Sequence, residues 1–259
     1  MQPQTADEVW ARIEAAARAE PTGVVATDAD GTLWSGDVGE DLFEAFLEHG
    51  RVEPAALEAL RRNARDHALS DAGTGPDVAR RLYAAYGEGR FPEERMCEAM
   101  VWCFAGWAEH EVGSFTRDLV DRCGLEARLH GELHGVLEQV RRAGIDAVLV
   151  SASPLAVVLE AGSRVGFDEA HVVAARPRYE GDIMLADVER PIPYAVGKVT
   201  RLRERIGNDR PVLAAFGDNA FDIALLASAR VPVAVRPKPR LRERAPDVSG
   251  LVELSRDSC

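Results

Sequence analysis

Gly23-Val24-Val25-Ala26-Thr27-Asp28-Ala29-Asp30-Gly31-Thr32 runs from a short apolar stretch straight into a polar, glycine-bearing loop. Four or five consecutive apolar residues between a Pro/Gly break and such a loop read as a strand buried on both faces, as in a parallel sheet. Runs of the same kind recur at residues 146–151, 170–174, 212–217 and 231–235. Helical patterns lie between them at 133–142, closed by Ala143-Gly144, and at 154–164, closed by Gly166. A further amphipathic helix, residues 5–20, precedes the first strand with Val9, Ile13, Ala16 and Ala17 on one face and ends at Pro21 and Gly23. Strands alternating with helices predict an open α/β sheet with right-handed crossovers, Rossmann-like and mainly parallel.

Residues 41–127 break the alternation. Leu42, Phe43, Phe46 and Leu47, then Leu57, Leu60 and Ala64, fall at helical spacing, and helical patterns resume at 77–86 and 92–108 after a Gly/Ser/Pro/Asp-rich break near 70–76. No strand is expected there. The reading is a small all-helical cap domain (41–127) inserted into a discontinuous core (1–40 and 128–259).

The chain has 259 residues, with 31 Lys+Arg against 43 Asp+Glu and a formal net charge of −12. Neither a nucleic-acid partner nor an anionic membrane surface suits that balance. The four cysteines, Cys97, Cys103, Cys123 and Cys259, form no C-x-x-C pair and no zinc-like spacing. Reduced thiols, no secretory leader and no run of about 18 apolar residues give the expectation of a soluble cytoplasmic protein, monomer or homodimer.

Ligands of open α/β sheets bind at the carboxyl ends of the strands. There the sequence places Asp28 and Asp30, then Ser151, then Asp218 with Asp222 four residues on, while Lys198 opens a helix before that last strand. Crowded carboxylates call for a divalent cation, and Mg²⁺ takes oxygen ligands of this kind. One carboxylate is able to attack phosphorus, a second to protonate the leaving oxygen, and an amine and a hydroxyl to hold phosphoryl oxygens. Gly31 lets backbone N–H groups approach a phosphate.

Asp28-Ala-Asp30-Gly-Thr-Leu, Ser151, Lys198 and Gly217-Asp218-Asn-x-x-Asp222, in this order, resemble the four motifs of the haloacid dehalogenase (HAD) superfamily, most of whose members are Mg²⁺-dependent phosphohydrolases. The insertion after the first motif resembles the phosphoserine phosphatase-like subgroup. The resemblance implies Asp28 as nucleophile and metal ligand, Asp30 as acid/base with its carbonyl on the metal, and Ser151 and Lys198 on the phosphoryl group with Gly31 and Thr32. It implies Asp218 as a further metal ligand, with Asp222 completing the acidic end through water or by orienting Lys198. Asp30 favours phosphoryl transfer over C–halogen cleavage, which needs no acid there.

Two features depart from the subgroup. Phe221 stands before Asp222 where asparagine is common, leaving Asn219 as the asparagine of that motif. The arginine that would hold a substrate carboxylate has no counterpart near 93–101 except Arg95. Asp37 and Glu40 stand where the subgroup holds a substrate amine, and with Ala152 and Asn219 they are specificity candidates. Trp102, Phe104 and Trp107 offer an alternative cation–π surface for an ammonium head group, set against a helix stripe of Met96, Met100, Cys103, Phe104 and Trp107 facing its own core. Gly197-Lys198-Val199-Thr200 is no P-loop, since Ile192 and Val199 occupy the wrong places. His130 and His134 read as surface or helix-start residues, and residues 236–244 as a solvated loop.

The expected function is Mg²⁺-dependent hydrolysis of a small phosphomonoester, amine-bearing in the phosphoserine or phosphocholine and phosphoethanolamine manner. The alternatives are a phosphotransferase or mutase of the same superfamily and a non-catalytic phosphate-ligand module.

Overall fold

A computed structural model describes residues 1–256; Cys259 lies outside the described residues. Chain order gives β1 (Gln2–Gln4), α1 (Ala6–Ala19) and β2 (Val24–Thr27). Six helices follow: α2 (Val38–His49), α3 (Pro54–Asp66), α4 (Gly75–Gly87), α5 (Glu93–Trp102), α6 (Glu109–Arg122) and α7 (Leu125–Arg128). Then come α8 (Gly131–Arg142), β3 (Asp146–Pro154), α9 (Leu155–Ser163), β4 (Val172–Ala175), β5 (Pro177–Glu180) and β6 (Ile183–Val188). The chain continues through α10 (Val196–Ile206), β7 (Val212–Gly217), α11 (Ile223–Ala227), β8 (Ala229–Val235), α12 (Pro239–Glu243) and β9 (Val252–Leu254). None of these helices is long and apolar enough to cross a membrane.

The main sheet is seven-stranded and parallel throughout, in the order β1-β9-β8-β7-β2-β3-β4. All four residues of β2 and all six of β7 are buried, as continuous apolar runs require when helices cover both faces. From β2 the chain grows the sheet outward through β3 and β4, then crosses to β7 and grows it the other way through β8 and β9. The reversal leaves the carboxyl ends of β2, β3 and β7 side by side.

Two features escaped the sequence pattern. The strands β1, at the sheet edge, and β9, between β1 and β8, are three residues each, too short for any alternation to register. The β5–β6 hairpin is half-exposed, unlike the fully buried runs of the main sheet. It leaves the core and joins the helical segment: Gly106 N–H donates to Met184 O and Met184 N–H to Trp107 O, each at 2.9 Å.

Where the chain enters and leaves the helical segment, the two crossings are stitched together. Ser35 N–H donates to Arg128 O at 2.9 Å, Arg128 Nε to Ser35 O at 2.7 Å, and His130 N–H to Leu33 O at 3.0 Å. His130 is buried at this seam, its Nδ1 2.8 Å from Thr32 O. It starts α8, as the helix-start reading expects, but it is not a surface residue, because it is the peg on which the loop after β2 hangs.

Arg236, just after β8, makes a bidentate pair with the buried Glu132 on α8, at 2.8 and 3.1 Å. Burial raises the Glu132 pKa, but the hydrogen bonds and charge of Arg236, with a backbone N–H and His130, together outweigh it and hold the carboxyl below the ordinary 4.5. Removing one partner of such a pair strands a buried charge, at a cost of about 3 kcal/mol. Arg236 has a φ of 44°, which alanine finds as unfavourable as arginine does, so Arg236→Ala isolates the ion pair. We expect that loss in urea unfolding at pH 7. Because the folded-state pKa is depressed, the pair's contribution is complete above the unfolded value and fades as pH falls below about 4.5 through the folded one. The variant should therefore lose less stability than the parent on acidification over that range.

Candidate functional site

Asp28 ends β2, and its N–H donates to Phe216 O of β7 at 3.0 Å, so sheet pairing fixes its backbone. Its carboxylate is buried. Oδ1 accepts from Lys198 Nζ at 2.5 Å and Oδ2 from the Thr32 hydroxyl at 2.9 Å. Lys198 is wholly buried in the first turn of α10 and reaches Asp222 Oδ1 at 2.5 Å on its other side. Its approach depends on Gly197: a Cβ there would lie 2.0 Å from Ile192 O, a backbone atom with no freedom to swing away. Asp222 spends its second oxygen on the N–H groups of Asp218 and Asn219, at 3.1 and 3.0 Å. Both its oxygens are engaged, which makes it the residue that orients Lys198 and the turn after β7.

Asp218 faces Asp28 across Gly31. With φ of +80° at Gly31, a Cβ would stand 2.3 Å from Asp218 Oδ2, so only glycine admits this approach. Asp218 Oδ2 accepts from Lys238 Nζ at 2.9 Å. The carboxylates of Asp28, Asp218 and Asp222 offer oxygen atoms within 4.8 Å of one another. Burial and repulsion from Asp222 and Asp218 push the Asp28 carboxyl well above the usual carboxylate range despite Lys198. Burial and Asp222 likewise push Asp218 up to about 6, against the pull of Lys238. Burial opposes the charge on Lys198, yet Asp222 and Asp28 hold its pKa above the ordinary lysine value. Three buried carboxylates outnumber their two lysines, and hard oxygen donors so arranged suit a divalent cation such as Mg²⁺.

Asp30 is held by four donors. Trp34 Nε1 and Val38 N–H meet Oδ1 at 2.8 Å each, while the Ser153 and Ser151 hydroxyls meet Oδ2 at 2.8 and 3.3 Å. The two serines share one face of β3 because side chains repeat every second residue along a strand.

Asp28, Asp30, Gly31, Ser151, Ala152 and Asn219 face a cavity of about 290 Å³. Thr32, Lys198, Asp218 and Asp222 do not line it: Thr32 and Lys198 bond the Asp28 carboxylate from behind, and Asp222 bonds Lys198. Asp37 and Glu40 lie on the opposite side, joined by Tyr86 and Glu93 of the helical segment and Tyr194 of the core. Asp37 caps α2, Oδ1 accepting from Gly39 and Glu40 N–H at 2.8 and 2.9 Å. Burial, then the charge of Asp30, raises its pKa well above the ordinary value. Burial also raises Glu40.

Trp102 and Trp107 do not reach this cavity; both are 3% exposed and packed in the helical core. Trp107 meets Phe104 at 5.2 Å and Phe115 at 5.7 Å between ring centroids, with Arg51 over its face. Core packing describes them, but not as one helix stripe: α5 ends at Trp102, residues 103–107 lie beyond it, and Met96 and Met100 of that stripe line the cavity, beside the aromatics Tyr86, Tyr194 and Phe221. Arg95 binds Glu98 at 2.8 Å and lies outside the cavity lining. The sequence reading passed over Ser153, which two-residue periodicity from Ser151 would have flagged. It passed over Lys238 too, whose Pro-flanked loop gives no pattern, although it lies three residues past β8.

Over residues 25–227 the chain matches the family of haloacid dehalogenase-like hydrolases. It is 29% identical over 171 residues to the "Inhibition of morphological differentiation protein" of Streptomyces azureus, spanning 63% of this chain and 59% of that relative's length. Its fold is similar to that of a Bordetella pertussis Tohama I protein, with TM-score 0.66, 23% identity and 90% and 97% of the two chains covered. It is also similar to a phosphoserine phosphatase in a substrate-bound complex, with TM-score 0.53, 16% identity and 91% and 94% covered. The sheet order, the strand-end acids and a match across most of its length agree: this chain belongs to the haloacid dehalogenase-like hydrolase family.

Proposed function

We propose that this protein hydrolyses a small phosphomonoester by passing its phosphoryl group through Asp28. The observation that carries the reading is the placement of Asp28 and Asp30 on one wall of one cavity, each fixed by hydrogen bonds from different elements.

Asp28 and Asp218, with Asp222 behind them, would hold a divalent cation such as Mg²⁺, which supplies positive charge against the phosphoryl oxygens. The chain's own residues do the rest. Lys198 and Thr32 hold the Asp28 carboxylate, so little reorganisation precedes attack. One Asp28 oxygen forms a bond to phosphorus as the ester P–O bond breaks, and Asp30 delivers a proton to the departing alkoxide. Asp30, again a carboxylate, then takes a proton from water as that water attacks phosphorus. The Asp28–phosphorus bond breaks, orthophosphate leaves and both aspartates are restored. Trp34, Val38 and the serine hydroxyls keep Asp30 in place through both half-reactions. The helical segment, as a cap over the core, keeps bulk water from the intermediate.

The leaving group lies against Asp37, Glu40 and Glu93, with Tyr86 and Tyr194 beside them and no arginine in the cavity lining. Such a wall repels a carboxylate or second phosphate and favours an alcohol bearing an amine or ammonium group. That disfavours phosphoserine, whose carboxylate finds no partner there.

Phosphate release with Mg²⁺ should vanish with excess EDTA, and Asp28→Asn should lower it by roughly 10³-fold or more while circular dichroism stays unchanged. Turnover by the Asn variant at the parental rate would refute nucleophilic attack by Asp28. Across a panel of ethanolamine, choline, serine and glycerol phosphates, the first two should show kcat/KM about tenfold above serine phosphate, and Glu93→Gln should narrow that gap chiefly through KM. A preference for serine phosphate would remove the amine-only assignment and leave the phosphatase reading standing.

A further inference from the structure

Lys238 is the one cationic side chain among the described residues lining the cavity, whose wall also carries the carboxylates of Asp28, Asp30, Asp37, Glu40 and Glu93. Lys198 does not share that position. It is buried behind Asp28, with Asp28 and Asp222 each 2.5 Å from its Nζ and the face of Phe221 5.1 Å away. Its ammonium is already matched, while a phosphoryl dianion entering the cavity meets Lys238 directly.

The backbone of Lys238 is anchored. Its N–H donates to Asp218 O at 2.8 Å, prolines flank it on both sides, and Arg236 clamps the same loop to Glu132. The side chain is not confined: it is 52% exposed, with Nζ 2.9 Å from Asp218 Oδ2. A four-carbon stem on a fixed backbone lets the ammonium turn from Asp218 into the cavity without moving the loop.

We infer that Lys238 serves two partners in turn, neutralising Asp218 while no divalent cation is bound and binding phosphoryl oxygens once a cation has taken Asp218. The inference rests on the phosphatase reading of the site. A divalent cation and the Lys238 ammonium seek the same carboxylate, so they compete. A phosphate and the ammonium attract each other, so they cooperate. Removing the charge therefore moves the two affinities in opposite directions, whereas loss of a merely structural tether would weaken both.

Isothermal titration of the full chain tests this with Mn²⁺ alone, then with orthophosphate at saturating Mn²⁺, using the parent, Lys238→Met and Lys238→Arg. Lys238→Met should bind Mn²⁺ about tenfold more tightly and orthophosphate about tenfold more weakly, with circular dichroism unchanged at the assay temperature. Lys238→Arg should bind orthophosphate within about threefold of the parent, since it keeps the charge. A methionine variant that binds both ligands as the parent does, or both more weakly, overturns the role of Lys238 and leaves the phosphatase reading intact. A parent that binds neither ligand overturns both.

Discussion

The ammonium of Lys198, buried between Asp28 and Asp222, is the interaction on which the rest of the site depends. Each of the three residues comes from a different element: the end of β2, the start of α10 and the turn after β7. Burying a lysine is costly unless its charge is matched, and breaking one partner out of a buried pair costs about 3–5 kcal/mol. The fold therefore gains this pair only when the sheet order brings β2 beside β7 and α10 packs so that Gly197 lies against Ile192 O. Correct folding and a formed site are here the same event. Asp222 gives one oxygen to Lys198 and the other to the turn, so it links the lysine's position to the backbone that presents Asp218.

Around that fixed centre the structure divides labour by element type. Strand ends and a helix start hold the cluster of Asp28, Lys198, Asp218 and Asp222, which fixes these groups tightly. The other side of the cavity is built from Asp37, Glu40, Tyr86 and Glu93, residues of the loop after β2 and of α2, α4 and α5. Two seams join these halves. At one, residues 33–35 pair with 128–130 under the buried His130; at the other, the β5–β6 hairpin bonds to residues 106–109. The hairpin makes the helical segment something other than an insertion held at two adjacent points, since a third strand of chain from the core braces it.

How much of this the sequence discloses follows from where each signal lives. The apolar runs of β2, β3, β7 and β8 are continuous because helices bury both faces, so the central sheet is legible. So are Asp28, Asp30, Ser151, Lys198, Asp218 and Asp222, because their positions at strand ends and a helix start are tied to those runs. The strands β1 and β9 are not, being three residues each, with β1 at the sheet edge and β9 held between it and β8. Trp102 and Trp107 show the limit for side chains: α5 ends at Trp102, so a helical spacing carried on to Trp107 does not hold, and only packing says whether an aromatic meets the core or a ligand. Lys238 shows the converse, since its place beside Asp218 comes from a loop that no periodicity describes.

The net charge is −12, yet local balance governs a small phosphate. The four carboxylates of Asp28, Asp30, Asp218 and Asp222 face the two ammonium groups of Lys198 and Lys238, which leaves the catalytic end with a formal charge of about −2. A single divalent cation brings that end to neutrality, and a phosphate dianion is then no longer repelled. The rest of the lining carries Asp37, Glu40 and Glu93, which outnumber the one cation there among the described residues, Lys238, whose charge opposes the rise that burial gives the Glu40 pKa. On the proposed phosphatase reading, this uneven charge selects a substrate that is anionic at one end and neutral or cationic at the other, and such a dipole would orient the ester oxygen toward Asp30 before any hydrogen bond is made.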